Sequence, residues 1–363
     1  MNWKDLFKKK PKEKKGPVKE WVDAIVFAVV AATLIRWAFM EAYVIPTPSM
    51  ENSLLVGDYL FVSKINYGPR TPRTPLQVPL THAKLWGFLE GIPSYSEAIQ
   101  LPMFRFPGLW DVERNDVVVF NYPPEFQHPA DLKTHYIKRC VAIGGDTIEV
   151  RESQVYINGE LGDNPDDMQF AFQVRASKKI NDRVFKKNNI WDITNIQGGY
   201  YVHAKTKDAM KLKELPFVED VIQFKEPEGY VNQRIFPDAS KFPWNADNYG
   251  PLVIPAEGMT IELSEDMVAK YGSTIRDYEG IENVEVNEGL LYLDGELMKE
   301  YTFSQNYYFM MGDNRHNSED SRYWGFVPGD HVVGEAAFIW LSIDPNENFF
   351  SKIRWSRLFN GID

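Results

Sequence analysis

The stretch MMGDNRHNSEDSRYWGFVP, residues 310–328, joins an apolar run to a dense series of polar side chains. Asp320 and Arg322 stand two residues apart in it, so an extended backbone would place both side chains on one face. The run that leads into the stretch, YYFMM (307–311), is typical of a strand. Seven further short apolar runs, separated by turn residues, show the same pattern: YLFVSKI (59–65), DVVVFNY (116–122), YIKRCVAI (136–143), TIEV (147–150), VYI (155–157), LLYL (290–293) and AAFIWLSI (336–343). The sequence therefore predicts a mainly β fold.

One apolar segment near the beginning of the chain is a candidate membrane helix. Its centre, AIVFAVVAATLI (24–35), carries no charge, and residues 21–40 would span roughly 30 Å as a helix, about one hydrocarbon core. Residues 1–20 hold eight lysines against three acids. The positive-inside rule predicts that this basic tail is cytoplasmic and that the chain beyond residue 40 lies outside. A cleaved signal peptide and a buried soluble helix are the alternatives, but no small-x-small cleavage site precedes Pro46.

The composition of the chain excludes several classes of protein. Of 363 residues, 44% are hydrophobic, which suffices for a packed core. The net charge of −11, concentrated outside the basic tail, argues against a nucleic-acid partner. The single Cys140 excludes an intrachain disulfide, and no close His/Asp/Glu cluster suggests a metal site. We expect no metal and no cofactor.

Two segments 136 residues apart resemble each other and frame a candidate inserted domain. IEVRESQVYINGEL (148–161) aligns without gaps to VEVNEGLLYLDGEL (284–297), and each contains Asn-Gly or Asp-Gly, dipeptides of tight hairpin turns. A true duplication and a chance likeness of two hairpins both remain open. We predict a β catalytic core of residues 41–161 and 298–363 with an inserted second β-rich domain, 162–297, that can be removed as a unit. Residues 69–111, which hold seven prolines, would leave the core as an excursion whose aromatics touch the membrane surface or the neighbouring sheet.

Ser49 is a candidate nucleophile in the segment IPTPSMENSLLVGDYLFVSK (45–64). Pro46 and Pro48 fix the backbone on either side of Thr47 and would present the hydroxyl of Ser49. The hydrolase elbow G-x-S-x-G is absent, and Asn52 stands where a Ser-x-x-Lys motif would have its lysine. Its base would therefore come from elsewhere in the chain, and a plain turn serine is the alternative.

Four stretches together resemble the type I signal peptidases, membrane-bound serine proteases that remove signal peptides from exported proteins. These are residues 45–64, RNDVVVF (114–120), HYIKRCVAIGGD (135–146) and residues 310–328, in this order behind an N-terminal apolar segment. The resemblance implies a Ser/Lys dyad in which Ser49 is the nucleophile and Lys138 the general base. Burial in the apolar strand would lower the pKa of Lys138 enough for that role. Arg139 would alternate to the other face of the strand, away from Ser49.

The resemblance also implies roles for residues around the dyad. Ser318 would orient the lysine, and the hydroxyl of Thr47 would form an oxyanion hole with the backbone N–H of Ser49. His316 stands where many relatives have Asp, and we expect a structural or outward-facing side chain there rather than a base. A tight turn and a structural ion pair complete the set: Gly312, Asp313, Asn314, Asp320 and Arg322.

By the same resemblance, the substrate would add to the enzyme as an extended strand and be cleaved after a small-x-small (Ala-x-Ala-like) site. Shallow apolar pockets would exclude large side chains by steric overlap. Eight residues would line them: Tyr43, Ile45, Met50, Leu54, Leu60, Val119, Tyr136 and Ile137. Plain core packing is the alternative role for each of them.

The resemblance therefore implies a membrane-bound serine endopeptidase whose partners are the signal peptides of exported preproteins and the lipid bilayer. It would cross the cytoplasmic (inner) membrane once, with the catalytic domain on the outer (periplasmic or extracellular) face. One alternative is a self-cleaving Ser/Lys repressor, which the apolar segment and the acidic charge disfavour. The other is a catalytically idle, membrane-anchored binding protein of the same fold, which would have lost Ser49 or Lys138. Both residues are present.

Overall fold

The computed structural model describes residues 16–85, 89, 91–345, 347–348 and 351–362, so the basic tail predicted for residues 1–20 lies mostly outside the described residues. The described residues form five α-helices: α1 (Pro17–Ala38), α2 (Asp182–Lys187), α3 (Thr206–Lys211), α4 (Glu265–Tyr278) and α5 (Ser321–Trp324). Their strands are β1 (Met40–Val44), β2 (Asp58–Ser63), β3 (Val117–Asn121), β4 (His135–Ala142), β5 (Thr147–Arg151), β6 (Gln154–Ile157), β7 (Glu160–Leu161), β8 (Phe170–Ala176), β9 (Asp192–Ile196), β10 (Gly199–Ala204), β11 (Val218–Gln223), β12 (Tyr249–Val253), β13 (Thr260–Glu262), β14 (Val284–Asn287), β15 (Leu290–Leu293), β16 (Glu296–Leu297), β17 (Glu300–Thr302), β18 (Tyr307–Met311), β19 (Val327–Pro328), β20 (Val332–Ser342) and β21 (Asn360–Gly361). The mainly β prediction is confirmed, and each of the eight apolar runs forms a strand.

The helix α1 covers most of the predicted membrane segment. It begins at Pro17, where a missing N–H costs nothing, and ends at Ala38. None of its residues is buried, and the apolar side chains of Trp21 and Phe27 are exposed. Within the described part of the chain, no helix combines the length and the apolarity that a membrane crossing requires. The predicted membrane-spanning helix is therefore not confirmed.

The largest sheet carries the strands on either side of the candidate dyad. Its strands follow the order β1-β2-β20-β3-β4-β18-β19, and β21 pairs with β20. The pairings from β1 through to β4 are all antiparallel, so β1 and β4 run in the same direction. Among the described residues, β1 is a terminal strand, and β4 pairs with β18 only from Arg139 onward. The ring centres of Tyr43 on β1 and His135 on β4 are 4.9 Å apart. The sheet is therefore curved, and the unpaired edge of β1 lies close to the unpaired first part of β4.

The two similar segments fold into matching three-stranded units. In the first, β5 pairs with β6 and β6 with β7; in the second, β14 pairs with β15 and β15 with β16. Both turn dipeptides have positive φ, 55° and 85° at Asn158 and Gly159, 52° and 81° at Asp294 and Gly295. The predicted left-handed hairpin turns are confirmed, and whether they arose by duplication stays a prediction.

Residues 162–297 pack in two separate ways. Strands β8 to β11 form a four-stranded sheet of order β11-β8-β10-β9, whose core is built from residues 168–221 alone. In contrast, β12 pairs with β5, and β13 pairs with β17, so both partners lie outside 162–297. Leu252, Ile261 and Tyr271 belong to one apolar cluster with Ile148 and Phe309. The second part of the segment thus completes a core that the hairpin and the C-terminal region share. The division into domains stays a prediction.

The proline-rich segment 69–111 forms isolated bridges rather than regular strands among its described residues. Its aromatic side chains Phe104 and Trp110 are exposed. Arg105 ties the segment to the body of the molecule by donating hydrogen bonds to the carbonyl oxygens of Gly329 and Val332. The predicted excursion is thus attached at the side of the main sheet.

Candidate active site

The turn that carries Ser49 is short and fixed by prolines. Residues Pro48–Met50 form a single 3₁₀ turn, and Thr47 precedes it in an extended conformation. Ser49 and Met50 are buried, while Thr47 is exposed and its hydroxyl makes no capping hydrogen bond. The turn therefore aims the Ser49 side chain inward and leaves the Thr47 hydroxyl accessible.

Ser49 and Lys138 are in direct contact. Lys138 lies in β4, opposite Val118 of β3, and its Nζ donates a hydrogen bond to Ser49 Oγ at 2.7 Å and another to the carbonyl of Ile137 at 3.0 Å. Only 4% of Lys138 and 8% of Ser49 are exposed. The side chain of Tyr136 lies beside the amine, with the ring centre 5.4 Å from Nζ. The two residues predicted to form the dyad thus contact each other in a site that is almost closed to solvent.

Burial changes the acidity of this lysine. It lowers the pKa of Lys138 from 10.5 to about 8, although the negative charges of Asp320, Asp313 and Glu319 act in the opposite direction. With a pKa of about 8, roughly one amine in ten is neutral at pH 7 and about half are neutral at pH 8. A neutral amine within hydrogen-bonding distance of a hydroxyl can accept its proton. The geometry and the pKa together suit a general base.

Residues 312–314 contact the turn that carries Ser49 and fix its position. The Asn314 backbone N–H donates to the carbonyl of Ser49 at 3.1 Å, and its side-chain amide donates to the carbonyl of Pro48 at 3.1 Å. Gly312 lies so close that a Cβ atom there would sit 2.5 Å from the Ser49 carbonyl oxygen and 2.3 Å from Ser318 Oγ. A side chain at Gly312 would therefore displace the nucleophile turn or the hydroxyl. The predicted tight turn has a clear positioning contact.

Asp313 forms a buried ion pair that the sequence did not reveal. Both nitrogens Nε and Nη2 of Arg139 donate to its carboxylate, at 2.9 and 2.8 Å. Ser53 Oγ donates to the same carboxylate at 2.5 Å, so Asp313 connects β4 to the segment after Ser49. Arg139 was expected only to lie on the face of the strand away from Ser49, and its partner Asp313 lies 174 residues away in the sequence. Such a long-range pairing leaves no signal in one sequence.

Asp320 and Arg322 form the predicted ion pair. Arg322 Nε and Nη2 each lie 2.9 Å from the Asp320 carboxylate, and both side chains are fully buried. Burial alone would raise the pKa of Asp320, but the adjacent guanidinium of Arg322 lowers it below its usual value. The expected extended geometry is wrong, because Asp320 caps the short helix α5 and its carboxylate accepts the N–H of Arg322. The carboxylate also accepts the N–H of Gly312 at 3.1 Å, which anchors that turn.

Among the residues that it describes, the structure shows no hydrogen bond for the predicted roles of Ser318, which would orient Lys138, and Thr47, which would stabilise the oxyanion. Ser318 Oγ is buried and has no hydrogen-bond partner among the described residues, so the expected bond to Lys138 is not formed. Thr47 lies beside Ser49 with its hydroxyl uncapped, as an oxyanion hole would need. The roles of Ser318 and Thr47 stay predictions.

Most of the residues predicted for the substrate pockets gather in one apolar cluster beside Ser49. Five of them are buried in it, Ile45, Met50, Leu54, Leu60 and Val119, and two are partly buried against it, Tyr43 and Ile137. Tyr136 lies in another cluster, where it stacks on Tyr122 at 4.3 Å. Their role in binding substrate stays a prediction.

His316 is a structural residue in this arrangement. Its Nε2 lies 2.9 Å from Asp247 Oδ1, and its Nδ1 accepts the backbone N–H of Ala171 at 3.0 Å. The side chain is 5% exposed and contacts the ring of Phe170. The two ring nitrogens thus link the loop after Asn314 to β8 through Ala171 and to the segment before β12 through Asp247. No contact brings His316 to Ser49.

Comparison with known proteins agrees with the geometry. A family model described as "Signal peptidase, peptidase S26" matches residues 18–208 and 197–341. The signal peptidase I of Buchnera aphidicola subsp. Acyrthosiphon pisum (strain APS) is 26% identical over 323 residues, 88% of this chain and 74% of the relative. That of Helicobacter pylori (strain J99) is 25% identical over 356 residues, 94% and 91% of the two chains. That of Aquifex aeolicus (strain VF5) is 26% identical over 326 residues, 90% and 85%. Since the family model covers most of its length, the chain belongs to the signal peptidase family, peptidase S26.

Proposed function

We propose that this protein is a serine endopeptidase that removes N-terminal signal peptides from exported proteins, with Ser49 as nucleophile and Lys138 as general base. The observation that carries the proposal is the 2.7 Å contact between Lys138 Nζ and Ser49 Oγ in a buried site. Burying a lysine costs free energy, and a buried lysine with a lowered pKa in contact with a hydroxyl is the arrangement of an activated nucleophile. The relatives named signal peptidase I supply the substrate class.

The reaction proceeds through an acyl-enzyme. Neutral Lys138 accepts the proton of Ser49 while Oγ attacks the carbonyl carbon of the scissile peptide bond. The resulting oxyanion receives hydrogen bonds from the Ser49 N–H and the Thr47 hydroxyl, an arrangement worth several kcal/mol of barrier lowering. The ammonium of Lys138 then donates its proton to the leaving amine, which releases the mature protein. Lys138 next takes a proton from water while the water oxygen attacks the ester carbonyl. The ammonium then returns this proton to Oγ as the ester bond breaks, which regenerates Ser49 and releases the signal peptide as a carboxylic acid.

The substrate binds as a strand between the unpaired edges of β1 and β4. Both edges end beside the dyad, because Ser49 follows β1 and Lys138 belongs to β4. Backbone hydrogen bonds to both edges would hold any extended peptide, so the side-chain pockets must supply the selectivity. Tyr43 and Ile137 pack against a cluster of buried apolar side chains, which favours small apolar side chains at the positions before the cut. This account yields the small-x-small preference.

The location of the reaction follows from the charge pattern of the sequence. The basic residues before position 20 predict a cytoplasmic tail and an external catalytic region. A protease added to intact spheroplasts should then digest the chain beyond residue 40. Protection of this region would contradict the proposed orientation.

The function is tested by incubating the purified protein with an exported precursor and measuring the product masses. We expect a single cut after an Ala-x-Ala site, and no cut when Leu replaces the alanine directly before it. The Ser49→Ala variant is the matched control for contaminating proteases. Binding of the precursor without cleavage by the wild type would instead support the idle binding protein.

A further inference from the structure

A cavity of about 300 Å³ lies next to the unpaired edges of β1 and β4. The end of α1, strand β1, the proline-rich segment 69–111 and the beginning of β4 enclose it. Large apolar side chains form much of its wall: Trp37, Val78, Leu80, Met103, Leu132 and Val333. We call this space the upstream cavity.

Many polar groups that line the upstream cavity are already hydrogen-bonded or ion-paired within the protein. Glu41 forms ion pairs with Arg36 at 2.5 Å and Lys64 at 2.7 Å. The carboxylate of Asp131 accepts the backbone N–H of Thr74 at 2.9 Å and lies 3.2 Å from its hydroxyl. Other lining groups bond elsewhere in the protein: Arg70 to Asn121, Gln77 to Thr81 and His82 to the carbonyl of Lys133. A charged occupant would have to break such pairs, so the cavity suits an uncharged apolar segment.

The position of the cavity relative to the dyad identifies the occupant. Moving from Ser49 and Lys138 toward the beginnings of the parallel strands β1 and β4, one meets the contact of Tyr43 with His135. Glu41 and His135, which line the cavity, lie at this end. Two residues of strand add about 7 Å beyond Tyr43. We take the peptide to run in the same direction as β1 and β4, with its cleavage site at Ser49. Roughly the fifth to seventh residues before the cut would then lie at the cavity.

We propose that the upstream cavity binds the apolar side chains of a signal peptide about five to seven residues before the cut, a substrate assignment that rests on the proposed function. The segment 69–111 thereby becomes a specificity element, since it supplies one wall. Signal peptides with bulky apolar residues at these positions are preferred over those with polar ones.

The test compares two peptides that share an Ala-x-Ala site and differ only in Leu or Ser at the fifth to seventh positions before it. The wild type should cleave the Leu peptide with kcat/KM about tenfold higher. Val78→Trp, which fills the cavity, should abolish this preference, so that kcat/KM for the Leu peptide falls to within about twofold of that for the Ser peptide in the same variant. Val286→Trp is the matched control, because Val78 and Val286 are 42% and 40% exposed and the latter lies on β14.

A second readout is independent of cleavage. A Leu peptide carrying benzoylphenylalanine at the sixth position before the cut is photo-crosslinked to the Ser49→Ala variant. Adducts within residues 72–82 or on Met103 support the assignment. Adducts elsewhere, or an unchanged preference in Val78→Trp, overturn it and leave the cavity to another occupant such as a lipid acyl chain. Crosslinks in the cavity together with no cleavage by the wild type would refute the proposed function alone.

Discussion

Replacing Lys138 by Met should abolish catalysis and make the stability of the protein respond differently to pH. The pKa of Lys138 is about 8 in the folded protein and about 10.5 when unfolded, so the unfolded chain binds the proton more tightly. At pH 7 this difference of 2.5 pKa units costs the wild type about 3 kcal/mol of unfolding free energy. The cost is constant below about pH 8 and disappears as the pH rises toward 10.5. Methionine fills a similar volume without a charge.

The two hydrogen bonds that Lys138 donates offset part of this cost, at about 1 kcal/mol each. Lys138→Met should therefore be as stable as the wild type or slightly more stable at pH 7. Urea unfolding of both proteins between pH 7 and pH 10 should show the wild type gaining about 2–3 kcal/mol relative to the variant. Lys299→Met, at an exposed position, should show no such drift. A difference that does not change with pH would refute the argument that burial lowers the pKa of this lysine.

Three further predictions concern catalysis and assembly. The kcat/KM of the wild type should rise about tenfold per pH unit up to about pH 8 and then level off, because only neutral Lys138 can act as the base. A kcat/KM that is already constant from pH 6 would contradict the assignment of Lys138 as the general base. His316→Ala should lower the unfolding free energy by roughly 2 kcal/mol, since it leaves the Ala171 N–H unpaired and removes one of the partners of Asp247. It should change kcat less than about threefold. A loss like that of Ser49→Ala would make His316 part of the chemistry. Deleting residues 162–297 should give insoluble protein, because the shared core loses β12, β13 and α4. Replacing residues 170–223 by a short Gly-Ser linker should leave a soluble chain. The reverse result would support the prediction that residues 162–297 are a single inserted domain.

The sequence predicted the features that depend on local pattern. Aromatic and β-branched runs marked the strands around Lys138 and Met310, because such side chains suit a pleated, half-buried surface. The Asn-Gly and Asp-Gly dipeptides predicted two turns whose positive φ the structure confirms. The family resemblance implied that Ser49 and Lys138 meet, and the two side chains are in contact, while their catalytic roles stay predictions.

Features that depend on distant pairing could not be predicted. Arg139 gave no indication of its pairing with Asp313, because a Lys-Arg step in a strand is compatible with many partners. Strand β12 contains Gly250 and Pro251, residues that weaken a strand pattern, and only its pairing with β5 makes it a strand. Asp320 caps a helix of only four residues, too short to show any periodicity. The Arg139–Asp313 pair and strand β12 therefore rest on tertiary contacts that a single sequence does not display, and the cap at Asp320 rests on a helix too short to recognise.

The most direct test of the Ser49–Lys138 dyad compares kcat/KM of the wild type with Ser49→Ala, Lys138→Ala and the double variant on one precursor. Because the two residues act as one unit, each single variant should lose as much activity as the double variant. Circular dichroism and urea unfolding should show that all four proteins are folded. Lys138→Ala with turnover near that of the wild type, or losses that multiply in the double variant, would contradict the dyad.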